Sequence, residues 1–149
     1  MKLAEALQER ADLNRRIAEL RSRLASNAIV QEGEKPAEDP AGLLTELDRC
    51  VAALEERITQ INLVNCRTFV EGKTLTELLA RRDCLSVQIN AYRQLLDNAS
   101  QTAYRARGTE IKVLSTVDVA DLQKKVDAMS RQLRLLDNTI QQTNWTTEL

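Results

Sequence analysis

The seven-residue spacing of apolar residues constrains this chain more than any other feature, because it recurs in four separate segments. Intervals of three and four residues place these side chains along one face of an α-helix, as in the contact seam of a coiled coil. The pattern therefore predicts four amphipathic helices. Their stripes are Leu3, Ala6, Arg10, Leu13, Ile17, Leu20 and Leu24; Leu44, Leu47, Val51, Leu54, Ile58 and Ile61; Leu75, Leu78, Arg82, Leu85, Ile89, Tyr92 and Leu96; and Leu122, Val126, Met129, Leu133, Leu136 and Ile140.

Capping residues precede three of these stripes. Asp39 followed by Pro40 is typical of a helix N-cap with proline at the first helical position. Thr74 and Glu77 have the spacing of a capping box at the start of the third helix. Asp118 is a suitable N-cap for the fourth helix, so all three starts are predicted from local chemistry.

Glycines and short runs of β-branched residues interrupt the helical pattern. Gly72 predicts a turn, and Gly108 ends a third helix that we expect to run to about Tyr104. Residues 28–31 are one candidate for a short strand, and 109–115 are a second because Ile and Val there alternate with polar residues, so we expect a minor two-stranded β element.

Internal repetition indicates how the helices are arranged. At an offset of 72 residues, eight of 22 positions are identical between the segments 3–24 and 75–96, including the pairs Arg10/Arg82 and Arg21/Arg93. A shared leucine pattern does not supply matching arginines, so we infer two helix–strand–helix halves at about 1–66 and 73–145. The sequence thus predicts a single all-α domain over 1–149, folded as an antiparallel four-helix bundle of coiled-coil hairpins.

Composition excludes several function classes. Lys and Arg number 21 against 22 Asp and Glu, and a net charge of −1 argues against nucleic acid as a partner. The chain has no histidine, which excludes Ser-His and Cys-His nucleophiles and imidazole metal ligands. Cys50, Cys66 and Cys84 lie 16 and 18 residues apart, so they form no zinc motif. No run of about 20 apolar residues exists, and we expect a cytoplasmic protein without membrane contact, cofactor or metal.

Two sets of residues are candidates for binding. Arg10 and Arg82 occupy seam positions where an unpaired charge is costly, so each forms a structural ion pair or both together hold an anion. If the hairpins pack as predicted, one end of the bundle collects polar residues and helix N-termini, which favour anions. The second candidate site at this end comprises Asn62, Asn65, Arg67, Lys73, Asn144 and Trp145.

Several stretches of the chain resemble one family. They are Met1–Leu7 with Arg10, Gln31–Glu34, Asn62, Asn65 and Thr68, Gly72–Asp83, Glu110–Lys112, Leu136 and Asp137, Ile140 and Gln141, and Thr143–Trp145. Over nearly its whole length the chain is similar to the small bacterial and phage-associated septicolysin-like proteins. The resemblance implies no catalytic residue. The family name suggests a haemolysin, although the sequence has no secretion signal and no segment suited to a membrane pore.

These observations predict a structural or protein-interaction module that forms homo-oligomers and has no catalytic activity. Apolar residues beside the main stripes, such as Leu7, Leu43 and Leu79, would supply surface for a partner. The alternative is a small anion-binding or ligand-binding protein that uses the polar end, and a third possibility is a membrane-active lysin. No residue is predicted to be catalytic or to bind metal.

Overall fold

The computed structural model describes residues 1–101 and 111–149. Four helices dominate it: α1 (Leu3–Ser26), α2 (Pro40–Arg67), α3 (Leu75–Ala99) and α4 (Val119–Thr146). Between α2 and α3, β1 (Phe69–Val70) pairs antiparallel with β2 (Lys73–Thr74). The predicted all-α class with a minor β element is confirmed.

The helix starts follow the predicted capping chemistry. Asp39 Oδ1 accepts a hydrogen bond from the Ala41 N–H at 3.2 Å, and Pro40 occupies the first helical position. Asp118 Oδ1 likewise accepts from the Asp121 N–H at 3.0 Å. These carboxylates satisfy backbone donors that have no partner inside the helix, which fixes where α2 and α4 begin.

The β element lies at a different place from the one predicted. Residues 28–31 form no strand, and neither do 111–115, while 109 and 110 lie outside the described residues. The two strands instead flank Glu71 and Gly72, which have φ angles of 50° and 83°. Two central residues with positive φ form the tight turn that suits the twist of a β-hairpin, so the turn expected at Gly72 closes a hairpin. The third helix ends at Ala99, and the end expected near Tyr104 and Gly108 lies outside the described residues.

The chain divides into two compact units. Unit 1 comprises Met1–Thr74 together with Thr143–Leu149, and unit 2 comprises Leu75–Gln142. In unit 1, α1 packs antiparallel on α2, and the buried apolar residues lie near the two ends of this hairpin. They are Leu3, Ala4, Ala6, Ile61 and Val64 at one end and Leu20 and Leu43 at the other.

Unit 2 is a second antiparallel helix pair. Its buried residues are Leu75, Leu85, Ile89, Leu96, Leu122, Val126 and Ile140. Around Leu96, Leu122 and Val126, the half-buried side chains of Tyr92 and Met129 complete an apolar cluster. Both units therefore have the hairpin form that the heptad stripes predict.

Candidate functional site

The predicted polar end of the chain is organised by pairing between the two ends of unit 1. The Leu3 N–H donates to the Thr147 carbonyl at 2.9 Å, and the Leu149 N–H donates to the Met1 carbonyl at 2.9 Å. The Lys2 ammonium forms an ion pair with Glu148. Hydrogen bonding from Lys2, and then from the terminal amine, holds the pKa of Glu148 below its usual value. The final residues thus fix the start of α1.

All six residues of the predicted polar site lie in unit 1, where they occupy the last turns of α2, strand β2 and the last turn of α4. Asn144 is buried, with 7% of its surface exposed, whereas Trp145 is 52% exposed. Asn65 is half-buried, and Asn62, Arg67 and Lys73 are exposed. Arg67 lines a small cavity of about 270 Å³ together with Gln60, Leu63, Val64 and Leu149. Arg67 and Gln60 are the two polar side chains of this cavity and the other lining side chains are aliphatic, which is a sparse donor set for an anion.

The two predicted seam arginines lie in different units. The Arg82 guanidinium contacts Asp83 at 3.1 Å, and its Nη1 lies 4.0 Å from Asp137 Oδ1. The Arg10 side chain is half-buried, and within the described residues it makes no ion pair.

Sequence reasoning missed a row of ion pairs that crosses from α1 to α2 and its preceding loop. Arg16 Nε donates to Glu46 Oε1 at 2.9 Å, and Arg57 Nη2 lies 2.7 Å from Glu9 Oε2. Arg23 Nε donates to Glu38 at 3.0 Å. We call these three pairs the ionic edge of unit 1. Nothing in the heptad pattern identifies the partners, because each pair joins residues from 15 to 48 positions apart.

The ion pairs shift the pKa of three side chains in the ionic edge. The hydrogen bond to Glu46, and then the bond to Glu19, raises the pKa of Arg16, and the bond to Glu38 raises the pKa of Arg23. The same bond from Arg23 lowers the pKa of Glu38. A groove of about 400 Å³ beside this edge includes Glu9, Arg16 and Arg57, whose charges are already paired.

An apolar stripe on α2 remains uncovered. Leu44, Val51 and Ile58 follow one another at intervals of seven residues and are 49%, 46% and 38% exposed. We call these three residues the α2 stripe. They belong to the predicted core stripe of this helix, and their exposure corrects that expectation.

The α2 stripe is exposed because α1 contacts α2 on a face that is rotated away from the stripe. The residues of α2 buried in unit 1 are Leu43, Ile61 and Val64, which lie to one side of the α2 stripe on the helix surface. One neighbouring helix covers only part of the apolar arc, so the other side stays exposed. Leu43 is therefore core, contrary to its predicted place on a partner surface, and Leu7 and Leu79 are half-buried. The α2 stripe is part of the apolar surface that this helix leaves exposed.

The described residues offer little for metal or membrane chemistry. Within 1–101 and 111–149, no group of three or more Cys, Asp or Glu residues is arranged to hold a metal ion. Cys50 is half-buried, and Cys66 and Cys84 are exposed. Across the same residues, none of the helices combines the length and the apolar character needed to cross a bilayer.

Comparison with known proteins gives relatives without an assigned activity. The model of a family of unknown function, DUF6847, matches residues 10–149 of the chain. The chain is also similar to the crystal structure of a functionally unknown conserved protein from Corynebacterium diphtheriae, with 40% sequence identity and a TM-score of 0.94. That match covers 100% of this chain and 98% of the other. No curated protein matches the chain. The resemblance to septicolysin-like proteins stays a prediction.

Proposed function

Because the chain belongs to the DUF6847 family of unknown function, its activity has to be inferred from its own surface, and we propose that it self-associates through the α2 stripe. The observation that carries this proposal is the exposure of three large aliphatic residues at heptad spacing on one helix. Apolar residues in a row at heptad spacing are the pattern by which one helix packs along another. In this proposal the chain is a structural protein with no catalytic activity.

The spacing of the α2 stripe makes it complementary to itself. If two copies of α2 pack antiparallel with Val51 at the centre, Leu44 of each copy lies opposite Ile58 of the other. A twofold interface requires this reciprocity, since residue i must meet residue j while j meets i. The heptad interval also keeps the three contacts along one line as two helices wind around each other.

Thr45, Ala52 and Thr59 each follow a residue of the α2 stripe in the chain. They are small and exposed, and each lies about 100° around α2 from the stripe residue before it. The ionic edge of unit 1 involves other residues of α2, so self-association leaves its ion pairs intact.

The cysteine pattern fits an intracellular site of action. Cys50, Cys66 and Cys84 are odd in number and lie 16 and 18 residues apart, which is not the paired framework of a disulfide-rich secreted protein. Reduced cysteines are typical of the cytosol, whereas secreted proteins of this size usually oxidise them. We therefore assign the proposed oligomer to the cytoplasm.

Light scattering coupled to size-exclusion chromatography tests the proposal. We expect the wild-type protein to approach twice the chain mass of 16.8 kDa as its concentration rises. Val51→Glu puts a charge at the centre of the proposed contact, so this variant should remain at the mass of one chain. Circular dichroism should show that it keeps its helices, because Val51 is exposed.

The matched control lies on the same helix. Leu63 is 57% exposed and lies about 140° around the helix from Ile58, so Leu63→Glu adds the same charge away from the stripe. This control should associate like the wild type. A wild-type protein that stays at one chain mass at high concentration, or equal loss of association in both variants, contradicts the proposal.

A further inference from the structure

A second feature, independent of the proposed self-association, is a basic groove between α3 and α4 in unit 2. Its volume is about 420 Å³. The polar residues that line it are Arg82, Ser86 and Arg93 from α3 and Ser130, Arg134 and Asp137 from α4. We call it the arginine groove.

Helix geometry spreads the three arginines along the groove. Positions 82, 86 and 93 fall within about 40° of one another around α3, and Arg82 and Arg93 are separated by about 16 Å along its axis. Near one end, Arg82 Nη1 lies 4.0 Å from Asp137, and near the other, Arg93 Nη2 donates to Ser130 Oγ at 3.2 Å. Because α4 runs antiparallel, Arg134 comes between these two ends.

The guanidinium groups of the groove have unused hydrogen-bonding capacity. Each guanidinium carries five N–H donors. Arg93 donates to a neutral hydroxyl, and Arg134 makes no ion pair within residues 1–101 and 111–149. Arg82 is held by Asp83, whose Oδ1 lies 3.1 Å from the Arg82 Nε, and its Nη1 lies 4.0 Å from Asp137, the one carboxylate among the lining residues. The positive charge that no ion pair balances within residues 1–101 and 111–149 is therefore that of Arg93 and Arg134.

The groove of unit 1 provides an internal comparison. It lies between a similar antiparallel pair of helices and has nearly the same volume, about 400 Å³. Its lining contains three acidic residues, Glu9, Asp12 and Glu56, and its two arginines are held in ion pairs. A groove between two such helices is thus not basic by default. The charge in unit 2 results from which side chains line it.

We propose that the arginine groove binds a soluble ligand that carries several phosphoryl groups in a row. Guanidinium groups bind phosphate oxygens through paired, charge-assisted hydrogen bonds, and they do so better than lysine. Three of them spread along an elongated groove match a linear chain of charges better than a single ion. The hydroxyls of Ser86 and Ser130 add donors to phosphate oxygens between the arginines.

Isothermal titration calorimetry at constant ionic strength tests this proposal with sodium tripolyphosphate as the probe. The wild-type protein should bind tripolyphosphate more tightly than orthophosphate, because a single phosphate reaches fewer of the arginines. Arg134→Gln should weaken tripolyphosphate binding by about tenfold or more, since it removes charge-assisted hydrogen bonds. Arg93→Gln should act in the same direction. Both residues are exposed, so the variants should retain their helices.

The control is Arg131→Gln, which removes the same charge from the same helix at an exposed position outside the groove. It should bind tripolyphosphate like the wild type. Equal weakening in Arg131→Gln and Arg134→Gln would mean general charge attraction and overturn the proposal. So would the absence of tripolyphosphate binding, or orthophosphate binding of equal strength.

A further titration with ATP distinguishes two sources of the phosphoryl chain. Tighter binding of ATP than of tripolyphosphate would assign the groove to nucleotides. Equal binding would assign it to the phosphoryl chain alone. Both results support a phosphate-binding site in the arginine groove. Neither result depends on whether the protein self-associates, so the two proposals can fail separately.

Discussion

At the scale of single residues, Asn27 holds the connection between α1 and α2. It is 8% exposed, its side-chain amide donates to the Arg23 carbonyl at 2.8 Å, and its oxygen accepts from the Glu38 N–H at 3.0 Å. Both polar groups of this buried side chain are therefore hydrogen-bonded to the backbone. These bonds replace the hydrogen bonds to water that the Arg23 carbonyl and the Glu38 N–H lose when they are buried. The same two neighbours form the ion pair Arg23–Glu38, so side chain and backbone restrain this loop together.

The pH dependence of stability should report the Arg23–Glu38 pair. The pKa of Glu38 is lowered from its ordinary value of 4.5, so the pair stabilises the fold above that pH. Its contribution is lost as the pH falls through the lowered value. We expect Glu38→Gln to melt below the wild type at neutral pH, and the difference in melting temperature to close in acid.

Thermal melts between neutral pH and strong acid measure this effect. Glu34→Gln is the control, because Glu34 lies exposed in the same loop and makes no ion pair within the described residues. It should follow the wild type at every pH. A Glu38→Gln difference that persists unchanged in acid would show that the charge of Glu38 plays no part.

At the scale of elements, local chemistry predicts the helices well and the strands poorly. Asp39 and Asp118 each satisfy backbone donors within three residues, so the sequence alone locates the starts of α2 and α4. The expected strand at 28–31 contains the β-branched residues Ile29 and Val30, but among the described residues the two strands, β1 and β2, pair with each other and not with this segment. Strand formation needs a partner, and short alternating runs do not identify one. Strands β1 and β2 do pair, because only Glu71 and Gly72 separate them in the chain.

The hairpin turn should depend on the backbone freedom of Gly72. With φ at 83°, Gly72→Ala requires a left-handed alanine, and we expect a loss of about 1–2 kcal/mol in the free energy of unfolding. A Cβ there meets no atom within 4 Å, so the loss comes from the backbone alone.

Glu71 provides the complementary variant. It also has positive φ, at 50°, and asparagine tolerates this conformation better than glutamate. Glu71→Asn should therefore raise the urea midpoint of unfolding, while Gly72→Ala lowers it. Equal midpoints for wild type and Gly72→Ala would contradict the role assigned to the turn.

At the scale of the whole molecule, the candidate surfaces depend on contacts that the sequence does not display. The predicted seam of α2 includes Leu44, Val51 and Ile58, yet these are exposed because α1 lies against the adjacent side of the helix. Helical periodicity identifies an apolar arc, and it does not say which part of the arc a neighbour covers. Likewise, Arg82 is prominent in the sequence as a seam residue, whereas Arg93 and Arg134 join it only once α3 and α4 are paired.

Salt should strengthen the proposed dimer. In the antiparallel arrangement, Asp48 of one copy lies near Glu55 of the other, and two like-charged contacts of this kind oppose association. Glu55→Lys converts both into attractions, which we expect to favour the dimer by about 0.4–2 kcal/mol, at 0.2–1 kcal/mol for each exposed pair. The dependence on salt should then reverse, with the variant dimer weakened where the wild-type dimer is strengthened.

Sedimentation velocity at ionic strengths of about 0.01 M and 0.15 M measures this change, since the screening length falls from about 30 to 8 Å. Glu34→Lys makes the same charge change in the loop before α2 and should leave both the affinity and its salt dependence unaltered. Identical behaviour of Glu55→Lys and wild type would argue against the antiparallel register.

The pairing of Leu3 with Thr147 also sets an order of events during synthesis. At a translation rate of about 5–20 residues per second, the ribosome adds the partner of Leu3 roughly 7–30 s after Leu3 itself. During that interval α1 and α2 can meet, and every residue of unit 2 is made, while the backbone at Leu3 has no Thr147 to bond. Unit 1 is thus the first of the two units to begin folding and the last to be completed.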